Sequence, residues 1–225
     1  MKQFLFCLIA SLITSISFAQ TSTFTDGSDP AAKAILEKIK NEYQSYSSME
    51  IDFTLTIAFP EEKEEIQKGS ITQQGNKYRM QMGAQEIISD GEVLWLYLKD
   101  RNEVQINDIE EAGDGEVDIF SPEDLFTLYE KGDYIYALVN EEKEGGKAIQ
   151  QIEFKPTDRY SEYTKLRLTI EKGSNKVMRM KVFSKDGSKY TLNIDKLNAN
   201  KKFDADYFTF KKENYPGVKV ENLRM

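Results

Sequence analysis

Histidine is absent from this sequence, and cysteine occurs once, at Cys7. Without an imidazole there can be no Ser-His or Cys-His nucleophile system, and the commonest zinc sites go with it. Cys7 lies behind Phe4-Leu5-Phe6 in an apolar N-terminal run, too early to be the lipid-bearing cysteine that follows a signal's apolar core. Neither disulfides nor thiol chemistry are therefore expected of the rest of the chain. Long hydrophobic runs are also lacking. Residues 4–16 fall short of the roughly 20 apolar residues that a membrane helix needs, and no later segment approaches that length. Positive charge is in deficit, with Lys+Arg 30 against Asp+Glu 38 and a net charge of -8. An acidic chain suits neither nucleic acid nor anionic head groups, so a partner is expected to be held by apolar surface.

What is present at the N-terminus reads as an export signal. Lys2 precedes the apolar run, and Ser17-Phe18-Ala19 places small residues where a signal peptidase reads them, so cleavage after Ala19 is expected. The remaining 206 residues (225 minus 19) fit one domain. Loss of Lys2, the one charged residue removed, takes the charge from -8 to -9. Residues 20–28 are polar and small apart from Phe24 and read as a mobile leader, leaving 29–225 as the domain. A soluble, exported, periplasmic monomer is the expectation.

The first helix is expected to start at Asp29-Pro30, an N-cap acceptor followed by a ring suited to the first helical position. Ile35, Leu36, Ile39, Tyr43 and Tyr46 recur at helical spacing and give it one apolar face. From Met49 the period changes to two. Met49, Ile51, Phe53, Leu55, Ile57 and Phe59 alternate with polar or small residues, which is the pattern of a strand buried on one side. Further strands are expected at 66–73, 77–82, 86–89, 93–99 and 103–108, with tight turns at Gly75-Asn76 and Asp90-Gly91. An acidic loop over 108–118 precedes a second helix beginning at Ser121-Pro122, with Asp124 as capping partner and Leu125, Phe126, Leu128 and Tyr129 as its apolar face up to Gly132. Strands resume at 134–140, 148–155, 164–171, 177–184 and 188–196.

In the late strands Leu166, Leu168 and Ile170 alternate with polar residues, as do Met178, Met180 and Val182, and then Tyr190, Leu192 and Ile194. About eleven such strands form a mainly β (α+β) fold that twist forces to curl, which predicts an incomplete antiparallel barrel with dry faces inward. Two helices cover only part of that concave face. Either its own side chains fill the remainder or a ligand does; Met80, Met82, Met178 and Met180 at inward positions suit a surface that fits variable acyl chains. The expected acyl-chain cavity comprises Ile51, Phe53, Leu55 and Ile57, then Tyr78, Met80, Met82, Leu94 and Leu96. Leu125 and Leu128 join it from the second helix, and Met178, Met180, Val182, Leu192 and Ile194 from the late strands. Ile35, Ile39 and Tyr43, with Leu125, Phe126 and Tyr129, form the expected lid.

Carboxylates are abundant, but their pattern is that of solvated faces and turns, so no enzyme is expected. Residues 108–114 do not place oxygen ligands at the alternate positions of a calcium loop, and neither metal nor cofactor is expected. The run Glu61-Glu62-Lys63-Glu64-Glu65 reads as an exposed turn.

The segment Ser89-Asp90-Gly91-Glu92-Val93-Leu94-Trp95-Leu96-Tyr97 is similar to the S-D-G-x-x-L-W-x-Y of the periplasmic outer-membrane lipoprotein carriers, the LolA-like family. The tail Phe203-Asp204-Ala205-Asp206-Tyr207-Phe208-Thr209-Phe210, and Pro216-Gly217-Val218-Lys219-Val220 against the family's closing G-V-x-V, extend the resemblance over nearly all of the mature chain. It implies a lidded half-barrel that takes lipoproteins from an inner-membrane ABC transporter and hands them to an outer-membrane receptor. A lipid or lipoprotein sensor on the same fold, or a lipocalin-like scavenger, are the alternatives. The family's K-R-P-x-x-F-x-W segment is replaced by Gly75-Asn76-Lys77-Tyr78-Arg79-Met80, in which Tyr78 and Met80 take the place of its aromatics. The arginine that latches the family's lid has no counterpart, and Arg79 is expected on the wet face.

Overall fold

The computed structural model describes residues 27–109, 128–130, 132–204 and 206–224. The expected signal peptide, nearly all of the leader, most of the acidic loop and the start of the second helix lie outside them.

The first helix, α1 (Pro30–Gln44), begins where its cap requires. The Asp29 carboxylate accepts from Ala31 N–H at 2.8 Å and Pro30 opens the first turn. Asp29 also pins the helix to the sheet: its N–H donates to Tyr136 O at 2.8 Å, and its other carboxylate oxygen accepts from Leu138 N–H at 3.1 Å.

Eleven strands follow the alternating segments: β1 (Met49–Ala58), β2 (Glu65–Gln74), β3 (Lys77–Met82), β4 (Gln85–Ser89), β5 (Val93–Leu98), β6 (Glu103–Asp108), β7 (Tyr134–Glu144), β8 (Lys147–Pro156), β9 (Tyr163–Glu171), β10 (Lys176–Ser184) and β11 (Lys189–Ala199). A twelfth, β12 (Lys219–Asn222), has only four residues and was not legible as a strand. The single sheet runs β12-β6-β5-β4-β3-β2-β1-β11-β10-β9-β8-β7. Every pairing is antiparallel except β12 on β6, which is parallel. β7 and β12 remain as edges, so the sheet is open.

Two of the expected turns carry a glycine with positive φ, Gly75 at 58° and Gly91 at 95°, a backbone region that side chains resist. Register slips of one residue bend the sheet, because each leaves an extra residue on one strand. They fall on β11 at Asp195, on β10 at Met178, on β9 at Thr164 and on β7 at Val139. Of the segment expected as a second helix, Leu128–Glu130 is described and forms a 3-10 turn, while residues 121–127 lie outside the described residues.

Both faces of the sheet carry apolar cover. On the concave side α1 buries Ala32, Leu36, Ile39 and Tyr43 in one cluster with β8, β9 and β10 side chains, among them Ile152, Leu168 and Ile170. On the convex side the C-terminal segment lies over β3–β6. There Ile88, Val104, Phe208 and Val218 are buried, and Phe203, Tyr207 and Phe208 stack with ring centroids 4.8–5.7 Å apart.

Candidate functional site

Strand pairing lines up the concave apolar residues in rows across the sheet. In one row Leu197, Ile51, Ile71, Met80, Ile87 and Leu96 stand opposite one another on successive strands. The next holds Ile194, Phe53, Gly69 and Met82. Further along, Leu55 faces Leu192, then Met180, Leu168, Ile152 and Leu138. The last runs from Ile57 through Tyr190, Val182, Leu166 and Phe154 to Tyr136. Side chains on one row share a face because successive residues alternate.

Burial divides this face in two. Under α1, Ile39, Ile152, Leu166, Leu168 and Ile170 are almost wholly removed from solvent. Over β1–β3 a second cluster has only Ile51, Phe53 and Ile71 buried, with Met80, Met82, Leu192, Ile194 and Leu197 partly buried around them. Leu55, Ile57, Tyr78 and Leu96 are likewise half-buried, whereas Leu94 is buried. The Phe53 ring spans the floor: it lies so close over Gly69 that a β-carbon there would stand 2.4 Å from its Cζ. The product is a concave strip of flexible and branched apolar side chains, half open to solvent, beside a packed core.

Two polar groups belong to this strip. Tyr78 faces Gln73 across the β2–β3 pair, and burial raises its phenol above the ordinary value. The buried Oε1 of Gln73 has no hydrogen-bond partner among the described residues. An acceptor left so costs about 1–3 kcal/mol relative to a satisfied one, so it is an available site for a donor.

The residues expected to form a lid fall together where they are described. Ile39, Tyr43 and Tyr129 are buried in the α1 cluster and Ile35 packs against it. Lys40 Nζ donates to both Glu130 oxygens, at 2.6 and 2.7 Å, tying α1 to the 3-10 turn. Burial, with Glu130 adding to it, pushes the Tyr129 phenol up to about 12. Leu125 and Phe126, and the side chain of Leu128, lie outside the described residues.

Two expectations are corrected. Met178 is the extra residue of the β10 slip, half-buried, and Val177 takes the inward place opposite Ile170. Arg79 does point to the convex side, but it is not wet. Its Nε donates to Glu86 at 2.7 Å, and its terminal nitrogens donate to Tyr207 O and to the Tyr215 hydroxyl, each at 3.0 Å. It holds the C-terminal segment, on the face opposite α1.

Ile71, Ile87, Tyr190 and Leu197 also belong to the strip and were missed. Leu197 was hidden because the Asp195 slip breaks alternation after Ile194; the adjacent polar pair Asp195-Lys196 was its one sequence signal. Among the described residues no helix is long and apolar enough to cross a membrane, and no group of three acidic, histidine or cysteine side chains is placed to hold a metal ion.

Comparisons with known proteins agree with this architecture. A family model described as "Outer membrane lipoprotein carrier protein LolA" matches residues 44–211. No curated protein matches the chain. An uncharacterized conserved protein from Thermus thermophilus superposes with a TM-score of 0.55 at 12% identity, covering 85% of this chain and 99% of the other. The Mycobacterium tuberculosis lipoprotein LppX gives a TM-score of 0.51 at 13% identity, over 80% of this chain and 100% of that one. A putative outer membrane lipoprotein-sorting protein domain from Vibrio parahaemolyticus gives 0.45 at 14% identity, over 78% and 95%. At such identities the first two likenesses are of fold.

Proposed function

The chain belongs to the outer membrane lipoprotein carrier protein (LolA) family, and from that premise we propose that it is a periplasmic carrier which binds the acyl chains of lipoproteins along the half-open strip and delivers them to the outer membrane. The observation that carries this reading is the uneven burial of one continuous apolar face. Under α1 the face is packed by its own side chains, while from Leu192 to Met80 it is left partly exposed. A continuous apolar face left partly open to water is unfavourable unless something occupies it.

Physical chemistry explains the form. A chain of about fifteen methylenes costs on the order of 12 kcal/mol to place in water, at about 0.8 kcal/mol per methylene, so an acylated protein does not cross an aqueous space unaided. Complete burial would prevent release, whereas a strip with methionines at its centre grips without closing. Gln73 Oε1 is the acceptor for the amide N–H of an amide-linked acyl chain. α1 and the 3-10 turn serve as the cover, and an inner-membrane transporter and an outer-membrane receptor are the donor and the acceptor.

Two measurements test the reading. A fluorescent palmitoyl probe should bind the chain, and Leu192→Asp, which places a carboxylate in the half-buried strip, should weaken binding at least tenfold while leaving the circular dichroism unchanged. Depleting the protein in its host should then strand lipoproteins in the inner membrane. A scavenger of small apolar molecules would pass the first test and leave lipoprotein distribution unaltered, and absence of probe binding would refute both readings.

A further inference from the structure

A chain with 38 acidic and 30 basic side chains should present carboxylates in the majority on any wet face. One sector of the convex face does the reverse. Arg167 on β9 stands directly opposite Lys181 on β10, and Lys165 stands opposite Phe183, which faces Lys189 on β11. Glu153 on β8 is the one carboxylate paired into these rows, and its Oε2 alone receives both Arg167, at 2.8 Å, and Lys165, at 3.0 Å. Lys181 and Lys189 face no carboxylate among the described residues. Like charges opposite one another weaken an antiparallel pair, so the fold has no use for Arg167 against Lys181.

An aromatic ring sits at the centre of this cluster. Lys165, Lys181 and Arg167 lie 5.1, 5.4 and 5.7 Å from the centroid of the half-buried Phe183. The loop after β8 adds Arg159 over the ring of Tyr160, which is 72% exposed, and Lys185 Nζ bonded to Arg159 O, with Asp158, Glu162 and Asp186 interspersed among them. The acidic 61–65 segment bounds the sector on the β1 side, where Pro60 reaches Gly187. This is also the end of the strands at which Ile57 and Tyr190 line the concave strip, Tyr190 being the neighbour of Lys189.

We propose that this sector docks the protein on the surface of an anionic phospholipid bilayer, with the Phe183 cluster and the Arg159-Tyr160 loop against the head groups. Net charge conceals it, because Lys165, Arg167, Lys181 and Lys189 gather on one strand face with Glu153 as their one paired carboxylate, while Asp158, Glu162, Asp186 and the 61–65 run stand in the turns at its edge. Cations interleaved with aromatic rings match the polar belt of a membrane. The choice of a bilayer over an acidic protein rests on the carrier reading, since the transporter and the receptor proposed as donor and acceptor both sit in membranes. Docking at this end brings the Ile57–Tyr190 end of the strip to the lipid.

Cosedimentation of the full chain with vesicles of phosphatidylcholine, with and without phosphatidylglycerol, tests the proposal. Binding should require phosphatidylglycerol and fade at high salt. Lys181→Glu and Lys189→Glu should each weaken it about fivefold, and together more than tenfold. Lys181→Glu gains an attraction to Arg167, so its melting temperature should hold or rise. Equal binding to neutral vesicles, or binding indifferent to both substitutions, overturns the proposal. So does retention on immobilised polyglutamate without vesicle binding, which assigns the sector to an acidic protein. The double variant should still bind the palmitoyl probe; if the unaltered chain binds vesicles through the sector but no probe, the carrier reading fails by itself.

Discussion

The ring of Phe53 on β1 lies across Gly69 on β2, its register partner, in space that a β-carbon would occupy. A glycine within a strand is otherwise unfavourable, and here it lets an aromatic floor the concave strip. Gly69→Ala should displace the ring and destabilise the protein by about 1–3 kcal/mol, as overpacking does. Urea denaturation measures it, and adding Phe53→Leu should recover part of the loss if the clash is the cause.

Arg79 joins the middle of the sheet to the C-terminal segment through Glu86, Tyr207 and Tyr215. Tyr215 also donates to Glu86 at 2.8 Å, and burial together with that carboxylate pushes its phenol up to about 12. Arg79→Ala leaves Glu86 without its guanidinium and should cost about 2–3 kcal/mol. Arg79→Lys keeps the charge but loses the fork, and should recover only part of this. Hydrogen exchange should show the loss first in Lys219–Asn222, and unchanged protection there in Arg79→Ala would contradict the role.

Glu153 supplies an acid-sensitive component of stability. Burial raises its carboxyl, but hydrogen bonds from Arg167 and Lys165 outweigh this and hold it below the usual 4.5. A carboxyl depressed in the folded state contributes stability that is fully present above its unfolded value and lost as pH falls through the folded one. The urea midpoints of the unaltered chain and of Glu153→Gln should therefore differ most near neutrality and converge as pH falls below the folded value. A gap that stays constant with pH would show that the carboxyl's charge is not involved.

The Lys40–Glu130 contact offers a direct test of the cover. Cys7 is the one cysteine of the chain, so Lys40→Cys with Glu130→Cys in a Cys7→Ser background can be joined by a short bifunctional maleimide. Palmitoyl probe uptake should fall at least tenfold on joining and return when a cleavable linker is cut. Undiminished uptake by the joined protein would remove α1 and the 3-10 turn from the gating role.

Strand faces were legible because alternation is local. Ile51, Phe53, Leu55 and Ile57 share a side however β1 is paired, and Asp29-Pro30 caps a helix wherever that helix lies. Slips in register were not legible. They arise between strands, and they move Val177 inward in place of Met178 and bring Leu197 in beside Ile194. β12 could not be read either, because four residues hold no period and it exists only where β6 offers an edge.

Arg79 shows the limit most clearly. Its sequence neighbours put it on the face away from Met80, which is correct, yet whether that face is wet depended on a segment some 130 residues later. The sequence by itself determined which side chains point the same way, since that follows from the geometry of a single strand. Only the tertiary structure decided what covers each face, where the apolar strip is left half open, and that the scattered lysines and arginines of three strands meet around Phe183. Those outcomes depend on contacts between distant residues, which no local pattern encodes.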